Sequence, residues 1–210
     1  GLEGHQAATV INSAALNLEQ SSGAMQAAHA LGQDVARVHG GDPSLYGAIG
    51  EQIRHLQALG IDYQIIPGVT ATAASAALLG CELTLPEVAQ SVILTRFGDN
   101  SPMPAGERLE DLARHGTTLA IHLGVKHLAR IVELLLPHYG PQCPVAVVHR
   151  ATWPDQDWVR GTLADIVAGV AAKGFRRTAL ILVGHVLGET PFAESALYRA
   201  GHAHLYRPAG

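Results

Sequence analysis

Two segments of the chain combine exposed backbone with polar side chains at spacings that suit a small-molecule ligand. The first is His39-Gly40-Gly41-Asp42-Pro43-Ser44-Leu45-Tyr46-Gly47, which follows an apolar stretch and precedes a helix-periodic one. Paired glycines at the C-terminal end of a strand leave no Cβ between the backbone and a ligand. That end is also where open α/β sheets bind small molecules. No Gly-Lys-Ser/Thr follows, which excludes a P-loop, and the spacing is not GxGxxG. A tight turn shaped only by Gly, Asp and Pro is the competing reading. The second segment is Pro67-Gly68-Val69-Thr70-Ala71-Thr72-Ala73-Ala74-Ser75-Ala76-Ala77, a loop opening into a helix of small residues. Such a helix can lie close to a flat ligand, with Thr70 and Thr72 as caps or ligand contacts. An Ala-rich core helix with a threonine cap is the alternative.

Other chemistries find less support. No Ser-His-Asp arrangement is visible. The twelve histidines include His202-x-His204 and the scattered His122, His127, His138 and His149. A tight metal site needs three or four converging ligands, no such spacing occurs, and no metal is expected. Cys81 and Cys143 form no CxxC pair, so neither a zinc knuckle nor a disulfide framework is read. A dinucleotide-dependent dehydrogenase lacks its fingerprint and the acidic residue that follows it.

The surrounding chain must hold the two segments in place. Of the 210 residues, 48% are hydrophobic and 15% charged, the composition of a compact α/β enzyme. The net charge of −4 and the lack of a basic run disfavour nucleic acid. No apolar stretch is long enough to span a bilayer, no signal peptide is visible, and a cytoplasmic location is expected. β-Branched runs at 8–12, 35–39, 63–66, 91–95, 118–123, 145–149 and 179–183 read as strands. Helical periodicity covers 21–31, 48–59, 72–79, 108–115, 126–135 and 163–173, the last capped by Gly161 or Thr162. In the helix at 48–59, Ile49, Ile53, Leu56 and Leu59 form one stripe. The alternation argues for α/β architecture. A break near Leu83-Thr84-Leu85-Pro86 suggests two α/β domains, 1–88 and 89–210, with a cleft between them as the favoured ligand site.

The runs GGDPSLYG, PGVTATAASAALLG, ELTLPEVAQSVILTR, RATWPDQDWVRGTL and RTALILVG together resemble the tetrapyrrole (corrin/porphyrin) methylases. The first two are shared across that family. The stretches 83–96 and 150–155 narrow the likeness to the branch acting on corrin precursors. The resemblance implies methylation of a corrin precursor in cobalamin biosynthesis, at ring carbon 11 or a neighbouring carbon. The substrate is metal-free or cobalt-containing, S-adenosylmethionine is the donor, and S-adenosylhomocysteine is the product.

Carried over position by position, the likeness assigns Gly40, Gly41, Asp42 and Leu45 to the methionine end of the cofactor. Thr70 and Ala71 come next. Leu123 and Ala151 are assigned to the adenosine, and Thr178 and Ala179 complete the set. Asp42 is expected to accept turn hydrogen bonds or face the ammonium group rather than act as a base, and no catalytic residue is assigned. Arg96 and Arg150 are candidates for the substrate carboxylates, since the guanidinium fork donates two bonds at once. The alternative for each is a solvated or intramolecular ion pair. Trp153 and Trp158 could stack on the ring or pack in an interface. The family implies a homodimer. Its usual opening strand and GxGPGDP loop have no counterpart here and the chain opens on Gly1, so a preceding segment of roughly 30 residues or more is expected. Without it, the chain reads as a cofactor-binding copy lacking activity.

Overall fold

The computed structural model describes residues 8–98, 102–189 and 191–195, and these fall into two compact units, 1–70 and 71–210. His202 and His204 lie outside the described residues.

The first unit contains α1 (Leu18–Ala30) and α2 (Ile49–Ala58). α1 begins three residues earlier than its periodicity suggests, because Asn17 and Gln20 form a reciprocal capping box. Asn17 Oδ1 accepts from the Gln20 amide at 2.8 Å, and Gln20 Oε1 accepts from the Asn17 amide at 3.0 Å. In α2 the expected stripe is only half covered, with Ile49, Ile53 and Leu56 at intermediate exposure and Leu59 exposed.

The strands expected at 8–12, 35–39 and 63–66 do not form: a 3-10 turn occupies Ser13–Ala15, and the other two segments carry no strand. β-Branched composition suits extended backbone, but a strand exists only through ladder bonds to a neighbour. Among the described residues none pairs with these segments. Val35, Val38, Ile65 and Ile66 are accordingly exposed.

The second unit is an α/β sandwich. It opens with α3 (Ala71–Leu79) and continues through β1 (Val92–Arg96), α4 (Leu109–Ala113), β2 (Thr118–His122) and α5 (Leu128–Tyr139). β3 (Pro144–His149), β4 (Asp157–Thr162), α6 (Ile166–Lys173) and β5 (Ala179–Val183) follow. The sheet order is β1-β2-β5-β3-β4, with β1 and β2 parallel and the remaining pairs antiparallel. Four of these strands were expected within a residue or so. β4 was not, because its alternating polar sequence Asp-Trp-Val-Arg-Gly-Thr is that of an edge strand.

The sheet is covered on both faces, and side-chain alternation divides its core in two. Leu119, Ile121, Val145, Val147, Ile181 and Val183 face α4, α5 and α6. Ala120, Ala146, Val148, Leu180 and Leu182 face α3 and the segment that follows it. Leu119, Ile121, Ile131, Leu135 and Ile181 are fully buried, each contributing about 1.5–3 kcal/mol relative to exposure. The cap expected at Gly161 or Thr162 is instead Asp165, whose Oδ1 accepts from the Thr162 amide at 2.6 Å. That short turn delays the helix to Ile166.

Candidate functional site

In the first unit the chemistry-bearing loop is organised by one carboxylate. Asp42 Oδ1 accepts from the Ser44 amide at 2.8 Å and from the Ser44 hydroxyl, while Oδ2 accepts from the Gly68 amide at 2.9 Å. Asp42 therefore ties the glycine turn to the Pro67-Gly68 loop, 26 residues away. The Ser44 hydroxyl bond, with the Gly68 and Ser44 amides, holds this carboxyl below its ordinary value of 3.8. It is ionised at neutral pH.

The glycines here have different reasons to be glycine. A Cβ on Gly68 would lie 2.4 Å from the Gly41 carbonyl oxygen, so the two loops touch backbone to backbone. Gly41 has φ +97°, which a side chain disfavours. Gly40 has neither reason: its φ is not left-handed, and an added Cβ would meet nothing within 4 Å among the described residues. Open space at that position leaves room for a ligand. Leu45 lies in the same turn, its amide donating to the Asp42 carbonyl at 3.3 Å, and Thr70 closes the unit at intermediate exposure.

In the second unit the expected residues converge on one end of the sheet. Arg96 and His122, the last residues of β1 and β2, are register partners, and His149 at the end of β3 pairs with Ala179 at the start of β5. β2 and β5 run antiparallel through Ile121 and Ile181, which brings Leu123 to the level of Ala179. The Arg150 amide donates to the Thr178 carbonyl at 2.9 Å, so Arg150, Ala151 and Thr178 share this edge. Ala71 joins them, since Thr72 Oγ1 next to it lies 3.1 Å from His122 Nε2. Register, with the contact at Thr72, thus gathers Ala71, Arg96, Leu123, Arg150, Ala151, Thr178 and Ala179.

Backbone strain marks the same places. Seven described non-glycine residues have positive φ: Tyr46, Ala48, Glu87, Leu123, Arg150, Thr152 and Thr178. Four lie at this sheet end and two in the loop of the first unit. Left-handed backbone at such residues costs free energy, and it concentrates where ligands are clamped. Leu123 combines this conformation with 67% exposure, so burial in the chain's own core does not account for it.

The two arginines differ. Arg150 makes an ion pair with Asp155, and its guanidinium carbon lies 5.2 Å from the centroid of the Trp153 ring. The Arg96 guanidinium reaches the Pro102 carbonyl at 3.4 Å. Trp153 and Trp158 remain 55% and 43% exposed. Among the described residues no three His, Cys, Asp or Glu side chains converge as metal ligands, and no helix is long and apolar enough to cross a membrane. Sequence reasoning passed over His122, counting it with the scattered histidines. Its neighbour Leu123 was the available signal, since a residue beside a strand-end contact shares its environment.

A sheet that gathers small residues, strained turns and an exposed leucine at one end has the features of an α/β enzyme binding a small organic ligand there. The chain belongs to the family described as Tetrapyrrole (Corrin/Porphyrin) Methylases, whose profile matches residues 4–167. It is 70% identical over 207 residues to the precorrin-4 C(11)-methyltransferase of Pseudomonas aeruginosa, covering 99% of this chain and 83% of that one. Identity to the cobalt-precorrin-4 C(11)-methyltransferase of Methanocaldococcus jannaschii is 49% over 201 residues, covering 95% and 78%. The X-ray structure of a cobalamin biosynthetic enzyme, cobalt precorrin-4 methyltransferase, matches with a TM-score of 0.83 and 40% identity over 86% of this chain and 76% of that one. The uroporphyrin-III C-methyl transferase of Thermus thermophilus, solved with S-adenosyl homocysteine, matches with a TM-score of 0.65 and 28% identity, covering 81% and 74%.

Proposed function

We propose that the protein methylates carbon 11 of precorrin-4 in cobalamin biosynthesis, with S-adenosylmethionine as donor. The observation that carries this reading is the convergence of Ala71, Leu123, Ala151, Thr178 and Ala179 at one sheet end, where Leu123 and Thr178 hold left-handed backbone. Likeness to methylases of both precorrin-4 and cobalt-precorrin-4 supports the reaction class, and the relative at 70% identity bears the name of the metal-free substrate.

The residues suit the cofactor. Gly40 leaves a space that a Cβ would enter, and Asp42 places a fixed negative charge beside it. We assign Gly40, Gly41, Asp42, Leu45 and Thr70 to the methionine end. Both Asp42 oxygens already accept bonds from the chain, so its carboxylate acts first as a strut between loops. We assign Ala71, Leu123, Ala151, Thr178 and Ala179 to the adenosine, where small side chains and one apolar face suit a flat heterocycle.

When bound, S-adenosylmethionine supplies an electrophilic methyl group on a sulfonium. The chain's task is then to hold the donor and a ring carbon in line and to keep water out, which is positioning rather than proton transfer. Arg96 and Arg150 are assigned to substrate carboxylates. Arg150 has five N–H donors, so its pairing with Asp155 leaves donors to share. We also infer a homodimer in the cytoplasm. Cys81 and Cys143 are free thiols, consistent with a reducing compartment. Light scattering on the purified protein tests the dimer.

The decisive assay supplies labelled methyl donor with precorrin-4 or cobalt-precorrin-4 and locates the new methyl by carbon NMR. Label at carbon 11, with faster turnover of the metal-free substrate, is expected. No transfer, or transfer to another carbon, would overturn the reading.

A further inference from the structure

His122 has no role in the chemistry above, yet it occupies a junction between two of the proposed cofactor contacts. Side-chain alternation along β2 puts it on the same sheet face as Ala120, toward α3. Its Nε2 lies 3.1 Å from Thr72 Oγ1 in the first turn of that helix. Thr72 is only 6% exposed, and burial lowers the imidazole pKa from 6.5, so the ring is neutral at pH 7. Arg96, the register partner of His122 on β1, is a charged neighbour on this face, with its guanidinium reaching the Pro102 carbonyl, and Arg160 on β4 is another.

α3 needs such a fastening because most of its side chains are alanine, which packs closely but resists sliding poorly. Its C-terminal end is held by Leu78 and Leu79 against the sheet and by Arg160, whose Nη2 donates to the Leu79 carbonyl at 2.5 Å. At the N-terminal end, Thr72 and His122 make a polar contact with the sheet.

We propose that His122 and Thr72 are a positioning pair that fixes the first turn of α3 against the end of β2, setting the spacing between Ala71 and Leu123 at the cofactor. The proposal rests on the cofactor reading above. It assigns His122 no contact with the reacting atoms: the residue acts through its neighbours. Thr72 follows Ala71 directly, and His122 directly precedes Leu123 in its strained turn. Loss of the pair therefore loosens both contacts at once.

The test is calorimetric titration of S-adenosylhomocysteine into the parent protein and into Thr72→Val, Thr72→Ser, His122→Phe and the Thr72→Val/His122→Phe double variant. Thermal unfolding without ligand is measured alongside. Thr72→Val keeps the side-chain shape and loses the hydroxyl, whereas Thr72→Ser keeps the hydroxyl. The valine and phenylalanine variants are expected to bind about three- to tenfold more weakly, the range spanned by one ordinary hydrogen bond. The serine variant should stay within about twofold, and the double variant should be no weaker than the worse single one, as coupled residues behave. If His122→Phe does not fold, the valine–serine contrast decides alone. Unchanged affinity in Thr72→Val, equal losses for serine and valine, or losses that add and follow thermal stability would overturn the pair. A parent protein that does not bind the ligand would overturn the cofactor reading as well, which separates the two failures.

Discussion

The contact between the Gly68 and Gly41 backbones offers a test in which two glycine-to-alanine changes should behave in opposite ways. In Gly68→Ala the new Cβ would sit 2.4 Å from the Gly41 oxygen, 3.0 Å from its carbonyl carbon and 3.3 Å from Asp42 Cα. All three are backbone atoms, so no flexible side chain can yield. Ordinary contact begins at 3.4 Å, so the loops must part by about 1 Å. The bond from the Gly68 amide to Asp42 Oδ2, now 2.9 Å, would stretch beyond hydrogen-bonding range if the loops part along it. Overpacking of this kind costs about 1–3 kcal/mol, and for a chain of this size each kcal/mol lowers Tm by about 2–4 °C. A displacement near 1 Å at a positioning loop reduces kcat/KM by up to about 100-fold. Gly40→Ala meets no atom of the described residues within 4 Å and leaves Tm unchanged. If its open space receives the cofactor, this change still weakens binding. Differential scanning fluorimetry and titration with S-adenosylhomocysteine separate the effects. A Gly68→Ala protein with parental Tm and affinity would mean that the two loops do not touch at this point, and a Gly40→Ala protein with parental affinity would mean that no ligand enters beside Gly40.

Further outcomes follow from other parts of the molecule. Donors from Ser44 and Gly68 lower the Asp42 pKa in the folded state, so its stabilising contribution is complete above the unfolded value near 3.8 and disappears as pH falls through the lower folded value. The difference in Tm between the parent and Asp42→Ala should therefore be constant from pH 7 to about pH 5 and shrink only in stronger acid. A difference that vanished between pH 7 and pH 6 would count against it. Asp155→Asn removes the ion-pair partner of Arg150, and because Asp155 is exposed and Arg150 only half-buried the change should alter stability by no more than about 1 kcal/mol. If Arg150 grips a substrate carboxylate, Arg150→Gln raises KM for the tetrapyrrole while Asp155→Asn leaves it equal or lower; steady-state kinetics on both variants tests this. Leu135→Ala, at a fully buried position in α5, should cost about 2–5 kcal/mol in urea unfolding. A loss below about 1 kcal/mol would mean that the site collapses around the smaller side chain.

Much of the second unit was legible in the chain because its central strands are buried on both faces. Runs such as Val145-Ala-Val-Val148 and Leu180-Ile-Leu-Val183 are almost wholly apolar and need no partner to be recognised. The glycine turn and the small-residue helix were legible too, since both are local features of composition. β4 was not, because an edge strand half open to solvent alternates polar and apolar residues and resembles a loop. The β-branched runs of the first unit were misleading for the converse reason: composition favours extension, but pairing decides whether a strand exists.

The residue types available, the glycine turn at 40–41, the helix of alanines and the family likeness they carry are all properties of the chain's order alone. Tertiary structure decided which residues meet. Asp42 and Gly68, 26 positions apart, and Thr72 and His122, 50 positions apart, are bridged by hydrogen bonds that local patterning cannot encode. Antiparallel register alone brings Leu123 level with Ala179 and sets Arg150 against Thr178. Periodicity reports which face of an element is apolar, whereas register reports which element lies beside it, and a site assembled from strand ends depends on the second.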